Sequence, residues 1–285
     1  MKLVISIFSK IKSLKIINHV LKEEFIIKIE INKIYNMDCL EGMKYIKDKS
    51  IDMILCDLPY GTTKNKWDSI IPLDKLWKHY NRIIKDNGVI VLNSQGLFTG
   101  ELMLSNKKYY KYTLIWEKDN ITGHLNAKKQ PLKKHEEILV FYNKQPTYNP
   151  QFTEGTPYQY SHYNYNTNSS NYNNQNGCGQ IKNDGKRYPT SIIKIKKPNP
   201  KQEKILHPTQ KPVELCEWLI KTYSNEGNLI LDNCFGSGST FIACINNKRN
   251  FIGFEMNDTY FNLAKERINK HILDNNLQNM YKLIA

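Results

Sequence analysis

The 285-residue chain has no Cys-x-x-Cys pair, no histidine cluster at zinc-ligand spacing and no apolar run long enough to span a membrane. Its six cysteines, Cys39, Cys56, Cys178, Cys216, Cys234 and Cys244, stand apart from one another. That argues against a zinc scaffold and fits reduced thiols in a cytoplasmic protein, with no metal expected. Cys39 and Cys56 flank strand-like runs and read as core residues rather than chemistry. The opening MKLVISIFSK loses its apolar character at Lys10, too early for a signal segment, and no small-residue cleavage site follows. Acidic residues are in short supply, 27 Asp and Glu against 41 Lys and Arg, for a net charge of +14. Such an excess points to a polyanionic partner, nucleic acid first, although an AT-rich genome would write the same abundance of Lys, Asn, Ile and Tyr. With 40% hydrophobic residues the chain can fill an ordinary core, which excludes wholesale disorder.

Residues 1–30 mix Ile, Leu and Lys without a motif and read as an N-terminal extension of one helix and a strand. From Ile31 the pattern sharpens. INKIYNMD reads as a strand, CLEGMKYIKD as a helix, and SIDMILCD as a buried parallel strand ending at Asp57. Leu73, Leu76, Trp77, Tyr80, Ile83 and Ile84 recur at helical spacing, and Asn87-Gly88 is the expected cap. GVIVLNS, YYKYTLIWEK and HEEILVFYNK supply three further strands. Residues 145–200 turn to Asn, Tyr, Gln, Gly and Pro, too long a stretch for a structureless loop, and read as an inserted module. Residues 201–272 return to alternating strands and helices, with Pro212 opening a helix, and residues 273–285 form a tail. Alternation of this kind predicts a parallel, doubly wound α/β sheet.

Two turns carry chemistry. LDNCFGSGST, Leu231 to Thr240, joins a strand to a helix, and Gly236 and Gly238 let a ligand approach backbone amides. About one βαβ unit later a strand ends at Glu255, placed to hydrogen-bond both hydroxyls of a ribose. Phe241 stands where a nicotinamide fingerprint wants its third glycine, and Asp232 ends the first strand. Both features suit S-adenosylmethionine, which has no pyrophosphate to cradle. The second turn is Asp57-Leu58-Pro59-Tyr60. An exocyclic base amine is a poor nucleophile because its lone pair is delocalised into the ring. A carboxylate and a backbone carbonyl that each accept one of its N–H bonds free that lone pair, and an aromatic ring stacks on a base taken out of the duplex. Asp57, the Leu58 carbonyl and Tyr60 supply these functions. A plain strand-end turn would account for Pro59 and Gly61 but not for Asp57 and Tyr60.

Together, DLPY and FGSGS resemble the amino-methyltransferase family that acts on adenine N6 or cytosine N4 in DNA. Their order, catalytic motif first and cofactor motif last, resembles the family's beta class, and the match runs from Ile31 to Ile272. NMDCLEGM resembles the acidic motif ahead of the catalytic strand, implying that Asp38 reaches the cofactor adenine. HPTQKPVEL, His207 to Leu215, resembles the segment over the methionine end of the cofactor, implying contacts from Lys211 and Pro212. FIGFEMNDTYFNLAKERI resembles the ribose-binding strand and the helix after it. The implied cofactor set is Asp38, Asp57, Lys211, Pro212, Asp232, Phe235, Gly236, Ser237, Gly238, Ser239, Thr240 and Glu255, and the implied catalytic set is Asp57, Leu58, Pro59 and Tyr60. The resemblance also implies a mostly parallel seven-stranded Rossmann-like sheet, a target-recognition role for residues 145–200, S-adenosylmethionine as cofactor, duplex DNA as substrate, and a homodimer that no residue here marks. Leu58 departs from the family's usual Pro. The carbonyl survives, but the rigidity that Pro confers is lost. Asp rather than Ser at position 57 resembles the adenine methylators.

Softer candidates for DNA contact are Lys64, Lys66 and Trp67 after the catalytic turn, and Lys128, Lys129, Lys133 and Lys134 between the last two strands of the first half. A solvated loop and a solvated charge run explain these as well. Tyr158, Tyr160, Tyr163, Tyr165 and Tyr172 suit phosphate contact or stacking, or compositional drift. His207 reads as a positioning residue. Rival functions are N4-cytosine methylation, methylation of RNA or of a protein amide, and DNA binding by a homologue whose catalysis Leu58 has impaired.

Overall fold

The computed structural model describes residues 28–61, 68–162, 179–198 and 210–284. The N-terminal extension up to residue 27, Lys64, Lys66, Trp67, Tyr163, Tyr165, Tyr172 and His207 lie outside the described residues.

The central strand β2 (Ile51–Asp57) shows why the sheet forms. Ile51, Met53, Ile54, Leu55 and Cys56 are all buried, so both faces need a cover. Met53 and Leu55 enter one core, and Ile51, Ile54 and Cys56 the other. β3 (Ile84–Ser94) divides in the same way, with Val89 and Val91 on one side and Ile90 and Leu92 on the other. The remaining strands of the sheet are β1 (Lys33–Asn36), β4 (Tyr110–Thr122), β5 (Lys133–Phe141), β10 (Ile192–Lys194), β11 (Leu229–Asp232) and β12 (Asn250–Glu255). Their order is β1-β12-β11-β2-β3-β5-β4-β10. β5 runs antiparallel to β3 and β4, and the other pairings are parallel. Two small antiparallel pairs, β6 (Thr153–Glu154) with β9 (Lys186–Arg187) and β7 (Tyr158–His162) with β8 (Gly179–Asn183), lie in the inserted segment.

Helices α1 (Cys39–Met43), α2 (Leu73–Ile83) and α3 (Leu97–Ser105) cover one face, burying Met43, Leu76, Trp77, Tyr80, Phe98 and Leu102. Helices α4 (Val213–Tyr223), α5 (Ser239–Asn246) and α6 (Asp258–Asp274) cover the other with Leu215, Leu219, Ile242, Ala264 and Ile268. Among the described residues no helix is long and apolar enough to cross a membrane.

The Rossmann-like, mostly parallel sheet expected from the sequence is present, and it carries eight strands rather than seven. The eighth is β10, from the inserted segment. It pairs with the otherwise open edge of β4, Ile192 beside Ile115, and the indole N–H of Trp116 donates to the Ile195 carbonyl at 2.8 Å. Asn87-Gly88 do not cap α2. The helix ends at Ile83, Ile84 is already extended, and Gly88 lies inside β3. A Cβ on Gly88 would come within 2.7 Å of the Ile84 side chain and 3.0 Å of the Asp52 carbonyl, so this glycine serves a close approach in a strand and not a helix end. α3 had no sequence signal, because its apolar residues do not keep to one face. In the stretch read as a tail, Tyr281 and Ile284 are buried in the core, and the Tyr281 hydroxyl donates to the Arg249 carbonyl at 3.0 Å.

Candidate active site

β11 and β2 are neighbours at the centre of the sheet, Leu231 beside Ile54. From β11 the order continues to β12 and β1, and from β2 to β3, so the strand order reverses between them. Open α/β sheets bind ligands at the carboxyl ends of the strands on either side of such a point. The terminal residues there are Asp57 and Asp232, and both line a cavity of about 760 Å³. The turns that follow Asp57 and Asp232, far apart in sequence, thus share one space.

The Asp57–Tyr60 turn is tightly held. The Tyr60 hydroxyl donates to Asp57 Oδ1 at 2.6 Å, and its ring packs on Phe98 with centroids 5.4 Å apart. Burial, reinforced by the Asp57 charge, pushes the Tyr60 phenol well above its ordinary value, so it stays a donor. Asp68 Oδ1 accepts from the backbone N–H of Tyr60 at 2.8 Å and of Gly61 at 2.9 Å. Leu58 is buried. Its missing proline ring is offset by this Asp68 clamp and by its own packing, which restrain the turn from either side.

On the other side, Gly236 has a positive φ of 50°, and its N–H donates to Glu255 Oε2 at 3.0 Å. Glu255 Oε1 accepts from Asn257 N at 2.8 Å. Burial raises the Glu255 carboxyl in spite of these amides. Asp38 also faces the cavity, with Oδ1 capping α1 through Leu40 N at 2.8 Å. Asn93, at the end of β3, lines the cavity with a buried Oδ1 that has no hydrogen-bond partner. An acidic rim, a glycine turn open to backbone approach and an orphaned amide oxygen in a space of this volume suit a nucleoside-sized ligand.

Asp232 accepts from the Thr240 hydroxyl at 2.6 Å and from Cys234 N at 3.2 Å. Burial outweighs these donors and raises its carboxyl from 3.8 to about 7. A folded value above the ordinary one means that ionisation opposes folding. The contribution is fully present below 3.8 and is lost as pH rises through about 7. Asp232→Asn is therefore expected to flatten the fall in melting temperature across this window. A slope unchanged in the variant would show that another group is responsible.

Lys211 was expected at the cofactor. It lines the cavity, and its ammonium meets the Asp57 carboxylate, donating to Asp57 Oδ2 at 2.6 Å and lying 3.3 Å from Glu136 Oε2. Lys118 pairs with Glu136 Oε1 at 3.0 Å. Burial alone would raise the Glu136 carboxyl, but the two ammonium groups overcome it and hold it at about 2. Burial alone would lower the Lys211 ammonium, but Asp57 and Glu136 hold it well above its ordinary range. Sequence reasoning missed Glu136, Lys118, Asp68 and Asn93. The one available signal was HEE at the head of a strand, which reaches the site only because β5 runs antiparallel.

Of the remaining sequence candidates, Phe235, Ser237, Ser239 and Thr240 line the cavity with Pro59. Gly238 and Pro212 are not on its wall. Gly238, at φ 75°, caps α5 and packs against α6, where a Cβ would meet Ala264 and Ile268 at 3.3 Å, and Pro212 caps α4. Lys128 and Lys129 are exposed on the β4–β5 connection, Lys133 and Lys134 are exposed at the start of β5, and Lys134 pairs with Glu117 at 2.9 Å. Cys56 is core, its thiol pushed up to about 12 by burial. Among the described residues no group of three or more His, Cys, Asp or Glu could hold a metal ion.

A doubly wound sheet with a carboxylate–aromatic turn facing a glycine turn across its switch point defines a Rossmann-like group-transfer enzyme. The family model described as DNA methylase matches residues 51–266, and the chain belongs to that family. It is 28% identical over 263 residues to the type II methyltransferase M1.MboII of Moraxella bovis, an alignment covering 85% of this chain and 98% of that one. It is 27% identical over 257 residues to the DNA adenine methyltransferase YhdJ of Escherichia coli K12, covering 84% and 83%. Among solved structures, the M1.HpyAVI–SAM complex superposes with a TM-score of 0.58 at 24% identity, covering 83% of this chain and 98% of that one. The cytosine-N4-specific PvuII DNA methyltransferase gives 0.60 at 14%, covering 89% and 94%. At these identities the structural likenesses speak for the fold alone.

Proposed function

We propose that the chain transfers a methyl group from S-adenosylmethionine to the N6 amine of an adenine turned out of duplex DNA. The observation that carries the reading is the Asp57 carboxylate, fixed at the carboxyl end of β2 and facing the same cavity as the glycine turn and Glu255. An aspartate there, rather than a serine, favours adenine.

The residues have separable tasks. Glu255 would accept from the ribose hydroxyls, Asp38 from the cofactor adenine, and the Asp232–Thr240 turn would hold the rest of the donor. When bound, S-adenosylmethionine supplies an electrophilic methyl on a sulfonium. Asp57 Oδ1 and the Leu58 carbonyl would each accept an N–H of the target amine and turn its lone pair toward the methyl, so that the N–C bond forms as the donor's S–C bond breaks with its electron pair left on sulfur, and the proton the amine gives up passes to Asp57 and on to solvent. A carboxylate oxygen has two lone pairs, so Oδ1 takes the amine while keeping the Tyr60 hydroxyl. Tyr60 would stack on the base. Orientation supplies most of the acceleration, since no covalent enzyme intermediate is needed. Exposed Lys128, Lys129 and Lys133 contribute phosphate contacts, Lys64, Lys66 and Trp67 are further candidates for DNA contact, and residues 145–200 read the sequence.

Expressing the chain in a bacterial host without methyltransferases of its own, then sequencing the host DNA with base-modification detection, tests this reading. Methylated adenine at one recurring sequence is expected. N4-methylcytosine would move the target within the family, and unmodified DNA would overturn the proposal.

A further inference from the structure

Four charged side chains form a line at the floor of the site. Lys118 of β4 meets Glu136 of β5 at 3.0 Å, Glu136 meets Lys211 at 3.3 Å, and Lys211 meets Asp57 of β2 at 2.6 Å. Their side chains are 2%, 13%, 9% and 24% exposed in that order. The charges alternate and sum to zero. A line like this is a poor way to stabilise a core, because desolvating each ion costs several kcal/mol, and apolar residues of equal volume often serve as well or better. What it does supply is direction. A lysine ammonium has three N–H bonds on a flexible stem, and without a second anchor it could follow Asp57 through several rotamers. Glu136 is that anchor. Lys118 occupies one Glu136 oxygen while the other faces Lys211, and the Lys118 ammonium is itself fixed 5.9 Å from the Trp116 ring centroid.

We propose that Glu136, held by Lys118, is a positioning residue for methyl transfer: through Lys211 it fixes the Asp57 carboxylate with Oδ2 occupied and Oδ1 presented to the target amine. Lys211 is the link and Lys118 the outer anchor. The proposal rests on the reading that Asp57 accepts the N–H of the base, and it adds what keeps that acceptor aimed. Strand direction explains why the line exists. β5 is antiparallel, so its first residues reach the same edge as the last residues of β2 and β4.

The groups facing Lys211 are Asp57 and Tyr60 from the catalytic turn, Glu136 from β5, Lys118 from β4, Lys197 beyond β10 and Cys216 from α4. Neutralising Glu136 leaves Lys211 with one carboxylate and two ammonium neighbours, so it gives up its proton at lower pH. The Lys211 titration in the ligand-free protein should then move acidward, toward the ordinary lysine range.

The experiment compares full-length wild type, Glu136→Gln and Glu136→Asp in single turnover on duplex DNA across pH. Binding of S-adenosylmethionine is followed by calorimetry, and Lys211 is titrated in the ligand-free protein through its 13Cε resonance. Glu136→Gln is expected to slow transfer by about ten- to hundredfold with little change in donor affinity. It should also move the Lys211 titration acidward, and Glu136→Asp should recover part of the rate and part of the shift. If Glu136→Gln does not fold, the double variant Lys118→Met, Glu136→Leu removes the outer pair together and should show the same shifts. A transfer rate in Glu136→Gln within about twofold of the wild type, or an unshifted Lys211 titration, overturns the proposal. Absence of DNA methylation by the wild type would instead fail the functional reading, while the Lys211 titration still decides whether Glu136 governs Lys211.

Discussion

Asp57→Ala is expected to cut methyl transfer by about a thousandfold or more, the scale seen when a pre-organised hydrogen-bonding group is removed from a transition state. In the proposed mechanism the carboxylate is the anionic acceptor at the end of β2, and the Leu58 carbonyl alone would not turn the amine. Donor binding should survive, because Glu255, Asp38 and the glycine turn keep their own supports, Gly236 N and Asn257 N on Glu255 and Leu40 N on Asp38. The variant also strips one carboxylate from Lys211 and the acceptor from Tyr60, so some thermal stability should be lost. Single-turnover rates with calorimetric donor affinities separate these effects. A rate near that of the wild type would remove Asp57 from the chemistry.

Lys211→Met should have the largest effect on stability. Lys211 is the cation between Asp57 and Glu136, and deleting it leaves two carboxylates in one poorly hydrated space with Lys118 as the nearest balancing charge. Removing one member of a buried ion pair typically costs about 3–5 kcal/mol. The loss should depend on pH. In the wild type the Glu136 carboxyl is held at about 2, so its contribution is present above its ordinary value of 4.5 and is lost as pH falls through about 2. Without Lys211 its folded value rises and that contribution shrinks. Variant and wild type should therefore differ most at neutral pH and converge in acid. Urea unfolding at several pH values reads this directly, and equal stabilities at neutral pH would show that Lys211 is not the charge that balances the pair.

The parts of the site written in contiguous residues could be read from the sequence. A buried apolar run that ends in Asp57-Leu58-Pro59-Tyr60, and another that ends in Asp232 before Gly236 and Gly238, announce strand ends, and Glu255 follows at the distance of one βαβ unit. Parallel sheets bring such ends to one edge, so shared use of a cavity followed from topology. What the sequence did not disclose depends on pairing. Glu136 reaches Asp57 only because β5 is antiparallel, and Lys118 reaches Glu136 only because β4 lies next to it. Lys211 was read by its motif as a cofactor residue, and its position between two carboxylates needs distances that only the fold supplies. Asp68 holds the catalytic turn from across the loop and bears on the one departure from the family pattern, Leu58. Asn87-Gly88 misled because a glycine that makes room for Ile84 in a strand looks in sequence like a helix cap.

The most direct measurement of the central claim is to incubate the purified chain with duplex DNA of mixed sequence and methyl-labelled S-adenosylmethionine, digest the DNA, and identify the labelled nucleoside by mass spectrometry. Label in N6-methyladenine is the predicted result. Label in N4-methylcytosine would contradict the choice of base while keeping the site, and label absent from DNA would contradict the account of what the Asp57 cavity does.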